Sequence, residues 1–174
     1  LTDYLPTGIE VRVGRPDSAA LLSLGYRDPS QYPNYGETYV NGSGKLVVSN
    51  GTFAGYISTL YVGVKEDSDK TMTGILDLRD ATVPVFRIRG HAWIGANRGA
   101  SYGTPTESGC KNGKGYVFLP AVPATVSSNL YVGDTNLASL GWLELFGTQF
   151  TVSNRVEISP TGVVTTHIYG ASCG

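Results

Sequence analysis

Hydrophobic and polar residues alternate over short stretches along most of the chain, and turn residues separate these stretches. Ile75-Leu76-Asp77-Leu78 and Trp142-Leu143-Glu144-Leu145 are examples. Such alternation is typical of β-strands with one buried face, because successive side chains point to opposite sides. The pattern predicts an all-β chain of short strands that leave little room for helices.

A short phrase recurs at the end of these stretches. It reads Leu60-Tyr61-Val62-Gly63 and again Leu130-Tyr131-Val132-Gly133, with Ala92-Trp93-Ile94-Gly95 as a third version. Val11-Arg12-Val13-Gly14 and Val156-Glu157-Ile158-Ser159 resemble it more loosely. We expect the third residue of the phrase to face inward, the second to face outward, and glycine to make the turn with a positive φ.

Four segments of similar length can be aligned on this phrase: 44–63, 74–95, 115–133 and 141–159. Each opens with glycine and an alternating strand, continues through a turn into a second short strand, and closes with the phrase. The linkers between the segments differ greatly in length. A near-constant block with variable insertions at one phase indicates a repeat protein whose insertions leave along one edge.

A single block cannot bury the apolar faces of its short strands. Stacked blocks can, because each strand then pairs with its equivalent in the next block and the blocks share one core. The sequence therefore predicts a parallel β-helix (β-solenoid) of about four coils, right-handed as parallel crossovers usually are. An antiparallel sandwich or jelly roll is the alternative, but it gives no reason for equivalent glycines. The expected inward ladders are Leu46, Leu76, Val117 and Leu143, and Val62, Ile94, Val132 and Ile158.

We predict a single domain over residues 1–174 with two long insertions. The first covers 15–43, is rich in tyrosine and turn residues, and contains a stretch at 18–22 that could form one helical turn. The second covers 96–114. Residues 1–14 would supply only a closing strand, and 162–170 an opening strand.

Blocks of the form Leu-Tyr-Val-Gly, polar loop, Thr-Gly-x-Leu-x-Leu, Ala-Thr-Val resemble the β-helical repeats of bacterial surface proteins. These include autotransporter passenger domains and autotransporter-associated repeat proteins. The resemblance is clearest at 60–83 and 130–152 and extends over roughly residues 44–171. It implies an extracellular, elongated protein with an adhesive or scaffolding role, and it brings no catalytic residue with it.

Composition narrows the class of partner. The formal net charge of −1 gives no electrostatic reason to expect binding to nucleic acid or to an anionic membrane, and no apolar run is long enough for a transmembrane helix. No signal peptide is visible and the chain begins at Leu1, so we expect a processed product or a piece of a longer protein. Cys110 and Cys173 fit no metal motif; a disulfide between them and two free thiols both remain open.

Several polar groups are candidates for catalysis or metal binding. Asp77 and Glu144 occupy equivalent positions with one block between them, which places them ~10 Å apart, near the limit for an inverting glycosidase pair. Asp77 also lies in a charged cluster with Arg79 and Asp80. The histidines, at 91 and 167, have no second ligand at local spacing, and the acidic stretch 65–70 lacks the ligand spacing of a calcium loop. We predict no catalytic residue, no metal and no cofactor.

Aromatic residues in the insertions are the candidates for binding. Tyrosine pairs a flat apolar face with a hydroxyl, which suits contacts with proteins or sugars. The alternative is that these tyrosines pack as a small core of the insertion. The candidate ligand-binding residues are Tyr26, Arg27, Asp28, Tyr32, Tyr35, Tyr39 and Tyr102.

These observations predict an extracellular or cell-surface β-solenoid with a structural or adhesive role, not an enzyme. Neither end of the predicted stack has a polar cap, and bare strand edges pair with other chains. Its partners would be copies of itself, joined head to tail into a filament, or cell-surface and matrix glycans or proteins. The alternatives are a polysaccharide-degrading β-helix, as in lyases or phage tailspikes, and a lectin-like binding module.

Overall fold

A computed structural model of the chain describes residues 8–26, 42–64, 71–96, 113–134 and 139–167. These ranges contain strands and turns and no helix, so the all-β prediction is confirmed. The strands are β1 (Glu10–Val13), β2 (Ala20–Leu24), β3 (Gly42–Val47), β4 (Thr52–Val62), β5 (Met72–Asp77), β6 (Thr82–Ile88), β7 (Ala92–Ile94), β8 (Gly113–Leu119), β9 (Pro123–Val126), β10 (Asn129–Val132), β11 (Leu140–Phe146), β12 (Gln149–Val152), β13 (Arg155–Ile158) and β14 (Gly162–His167).

The strands fall into three classes, and each strand pairs in parallel with its equivalent in a neighbouring block. The opening strands β3, β5, β8, β11 and β14 form a five-stranded sheet. The middle strands are β1, the first half of β4, β6, β9 and β12, and the closing strands are β2, the second half of β4, β7, β10 and β13. These two classes share a nine-stranded sheet, because β4 runs through both without a break. The parallel pairing contradicts the antiparallel alternative.

The register confirms both predicted ladders. The first, Leu46, Leu76, Val117 and Leu143, continues to Val164. The second, Val62, Ile94, Val132 and Ile158, begins one strand earlier at Leu24. Buried side chains from all three strand classes form one core, in which the rings of Phe53 and Phe86 lie 6.1 Å apart. Burying one such side chain stabilises the fold by about 1.5–3 kcal/mol.

The start of the chain differs from the prediction. Residues 11–14 were expected to form a closing strand, but β1 pairs with Thr52–Gly55 and is therefore a middle strand. The closing strand is β2, in which Leu24 lies beside Val62, so the first copy of the phrase is Leu22-Ser23-Leu24-Gly25. The sequence predicted a loop here, with one helical turn at 18–22, and both predictions are wrong for β2. Burial of Leu22 in the core outweighs any local helical preference. At the second insertion, β8 begins at Gly113, inside the predicted 96–114.

The closing glycines lie where two backbones meet. Gly63, Gly95 and Gly133 have positive φ, as predicted, and Gly25, which the prediction did not include, has it too. In addition, a Cβ on Gly63 would lie 1.9 Å from the carbonyl oxygen of Lys114 in an opening strand. Gly115 has no left-handed φ, yet a Cβ there would lie 2.1 Å from the carbonyl oxygen of Val62. Glycine is therefore required both after the closing strands and within the opening strands, because the two backbones touch at these positions. The sequence did not predict this contact.

We predict that Gly63→Ala lowers the free energy of unfolding by about 2–5 kcal/mol, because it combines left-handed strain with overlap against a backbone. Gly8→Ala is the matched control: Gly8 also has a positive φ, at 88°, but no atom lies within 4 Å of its Cβ position. Its cost should not exceed about 1–2 kcal/mol. Chemical denaturation measures both, and equal losses would contradict the close contact.

Candidate functional site

An aromatic column runs along the outer side of the closing strands. It consists of Tyr61, Trp93 and Tyr131, the second residues of successive phrases, which lie beside one another in the parallel register. Trp93 and Tyr131 stack with ring centroids 3.8 Å apart and an angle of 14° between the planes. Tyr26 stacks on Tyr61 at 4.4 Å and 11°, which extends the column towards β2.

The column uses its ring faces for contacts within the chain. His91 packs 6.4 Å from Trp93 and 6.2 Å from Tyr131, centroid to centroid. The Asn129 side-chain amide donates a hydrogen bond of 2.7 Å to the Tyr131 hydroxyl. The stacked pairs Tyr26–Tyr61 and Trp93–Tyr131 tie neighbouring parts of the chain together, at about 0.5–1.5 kcal/mol for each pair.

A second group, the opening-sheet cluster, lies on the outer side of the five-stranded sheet. It comprises Asp77, Arg79, Phe118, Glu144 and His167. Asp77 pairs with Phe118, and Phe118 with Glu144, so one strand separates the two carboxylates, as the sequence predicted. Two strand spacings correspond to about 10 Å between their Cα atoms.

Arg79 connects this cluster. Its guanidinium donates hydrogen bonds of 2.9 and 2.6 Å to the Asp77 carboxylate, and its Cζ lies 4.6 Å from the centre of the Phe118 ring. Burial alone would raise the pKa of Asp77, but hydrogen bonds from the Arg79 side chain and backbone, with the charges of Arg79 and Lys45, lower that pKa below its ordinary value. The same hydrogen bond raises the pKa of Arg79. Asp77 is therefore held ionised.

Glu144 is also held by its neighbours. His167 Nε2 lies 2.6 Å from one carboxylate oxygen, and Trp142 Nε1 donates a 3.2 Å hydrogen bond to the other. The His167 ring stacks on Phe146 at 4.6 Å, with 2° between the planes. The contacts of Glu144 and His167 thus fasten β14 to β11.

The pKa of Asp77 does not suit the role of the acid in a glycosidase pair. Such an enzyme needs one carboxylic acid that stays protonated, which requires a raised pKa. The pKa of Asp77 is shifted in the opposite direction. The arrangement binds strands to one another, and this favours a structural role for the two acids.

A third feature is the open face at the end of the stack formed by β12, β13 and β14. Inward-facing residues of β13 and β14 are exposed there, although their ladder equivalents are buried. Val156 and Ile158 are each 52% exposed, whereas Leu130 and Val132, their partners in β10, are 2% and 0% exposed. Val164 in β14 is 36% exposed. The apolar core therefore reaches the surface at this face.

Of the predicted ligand-binding residues, only Tyr26 lies within the described ranges, and its ring stacks on Tyr61. This contact fits the packing alternative for that residue. Arg27, Asp28, Tyr32, Tyr35, Tyr39 and Tyr102 lie outside the described residues, as do Cys110, Cys173 and the acidic stretch 65–70. The stacked column was not predicted from the sequence, although three copies of the phrase have an aromatic second residue, which is a signal for it.

In the described part of the chain, neither histidine joins a group of three potential metal ligands. That part also contains no helix of the length and apolar character needed to cross a membrane.

The chain was compared with known proteins. It matches no family model, no curated protein and no solved structure. The resemblance to autotransporter-type repeats therefore stays a prediction.

We predict that Asp77→Asn costs about 0.2–1 kcal/mol of stability at neutral pH, the range for an ion pair at the protein surface. Because the folded-state pKa lies below the ordinary 3.8, the ionised carboxylate stabilises the fold above pH ~4, and this contribution is lost as the pH falls through the folded-state pKa. The two proteins should therefore become equally stable in acid. Urea denaturation from pH 7 to 2.5 measures this, with Asp17→Asn as the control at an exposed turn; a difference that persists in acid would contradict the ion pair.

Proposed function

We propose that the chain is a right-handed parallel β-helix that serves as a structural protein at the cell surface, where its copies join end to end. The observation that carries this proposal is the open face, with Val156 and Ile158 half exposed. An apolar core that ends in solvent is completed when another chain covers it.

The β-helix is supported by the strand order. Opening, middle and closing strands follow each other in every block, and each class pairs in parallel with the same class of the next block. Parallel pairing requires a crossover that returns the chain to its starting side, and one block provides it. The right hand follows from the general preference of parallel crossovers.

End-to-end joining is supported by the unpaired strand edges. Within the described residues, each of β12, β13 and β14 pairs with one strand, and so does each of β1, β2 and β3 at the opposite end. The two ends differ in burial, since Leu22 of β2 is 9% exposed and Val156 of β13 is 52% exposed. Covering the half-exposed Val156, Ile158 and Val164 would contribute on the order of 1 kcal/mol for each side chain. The new backbone hydrogen bonds would add to this.

The structural role is supported by the state of the polar groups. Asp77 and Glu144 are held by Arg79, Trp142 and His167, and the aromatic column is stacked on itself. The contact of His167 with Glu144 and the stack of Trp93 on Tyr131 join neighbouring strands. The hydrogen bonds from Arg79 to Asp77 and from Trp142 to Glu144 are local. The location at the cell surface rests on the resemblance of the repeats to surface proteins. Glycan binding and polysaccharide cleavage are the alternative functions.

We predict that the wild-type chain gives a molar mass above its monomer mass of 18.5 kDa in light scattering, and that this mass rises with concentration. Negative-stain electron microscopy should show particles elongated in one direction. Ile158→Lys should abolish assembly, because burying an unpaired ammonium in the joint costs several kcal/mol.

Thr151→Lys is the matched control. Thr151 lies in β12 on the same terminal layer, but it faces outward and is exposed. This variant should assemble like the wild type. A wild-type chain that stays monomeric at every concentration, or equal assembly of both lysine variants, would contradict the proposal.

A further inference from the structure

The two ends of the stack carry the same strand classes in the same order. One end presents β1, β2 and β3, which are a middle, a closing and an opening strand. The other presents β12, β13 and β14, again a middle, a closing and an opening strand. The described strands therefore complete whole turns of the repeat. A second copy placed on the open face finds every strand class in its proper place.

From this match we infer the register of the joint, which rests on the proposed end-to-end assembly. The next copy places β1 on β12, β2 on β13 and β3 on β14, all in parallel. Extending the ladders of the chain puts Leu24 beside Ile158, and Leu22 beside Val156. On the opening sheet it puts Leu46 beside Val164.

On the opening sheet this register continues a feature found inside the chain, whereas on the closing side Ser159 stands where the four preceding closing strands end in glycine. Gly44 of the next copy comes to lie over Gly162, which continues the column of opening glycines without a Cβ at the contact. On the outer side, Ser23 comes beside Glu157, so this carboxylate meets no like charge. A shift by one residue would turn Leu22 and Leu24 to the solvent and is disfavoured for that reason.

The joint is also heterologous. The open face of one copy meets the opposite end of the next, so each added copy presents a new open face. The partner of this surface is therefore another copy of the same chain, and the assembly has a direction.

Disulfide trapping tests the register. In a background with Cys110→Ser and Cys173→Ser, chains carrying Ser23→Cys are mixed with chains carrying Glu157→Cys and oxidised. Neighbouring parallel strands place paired Cα atoms about 4.8 Å apart, within disulfide range. Within one chain these positions are four strand spacings apart, about 19 Å, so only a link between copies can form. We expect covalent dimers from the mixture and none from either variant alone.

The out-of-register control pairs Ser23→Cys with Arg155→Cys, which lies two residues away along β13, at about 8 Å, beyond disulfide range. A second matched pair, Val47→Cys with Thr165→Cys, tests β3 on β14 independently and keeps the test valid if one variant folds poorly. Suppose that light scattering shows assembly but neither matched pair forms disulfides, or that the control pair links equally well. Either result would overturn the register and leave the proposed function intact. A wild-type chain that does not assemble would overturn both.

Discussion

The whole structure depends on a contact between backbones at one corner of each block. There the end of a closing strand lies against opening strands of later blocks so closely that neither side has room for a Cβ. Gly63 and Gly115 illustrate the two sides of this contact, and a methyl group on either would overlap a carbonyl oxygen. Because the same contact recurs at Gly25, Gly63, Gly95 and Gly133, it fixes the register of these strands and keeps the three classes aligned.

The register then decides what every other side chain does. Inward residues meet their equivalents and form the apolar ladders, while outward residues form stacks such as Trp93 on Tyr131. Charged groups follow the same rule, since Asp77 and Glu144 lie on either side of the Phe118 strand. At the open face the ladder continues to Ile158 and Val164 with no described strand beyond them, which makes this surface the natural place for a partner.

The sequence predicted the strand type, the parallel stacking and both ladders, because the alternation and the recurring glycines are local signals. It misplaced the first strands, since Val11–Gly14 imitates the phrase, whereas Leu22–Gly25 lacks the aromatic residue that identifies the other copies. The placement of Asp77 relative to Glu144 followed from the alignment of the blocks. Tyr26 stacks on Tyr61, and Arg79 lies over the Phe118 ring. Both contacts depend on the side-chain rotamers of residues that are distant in the sequence, which the pattern of residue types does not specify.

Amide hydrogen exchange across a concentration series tests most directly whether the open face is completed by another copy. In dissociated chains the amides of β12, β13 and β14 that point to the free edge should exchange quickly, while those of β5 and β8, which are paired on both sides, stay protected. At concentrations that favour assembly, we predict that protection rises in β12–β14 and in β1–β3 together. Unchanged exchange at both ends would contradict the proposed joint.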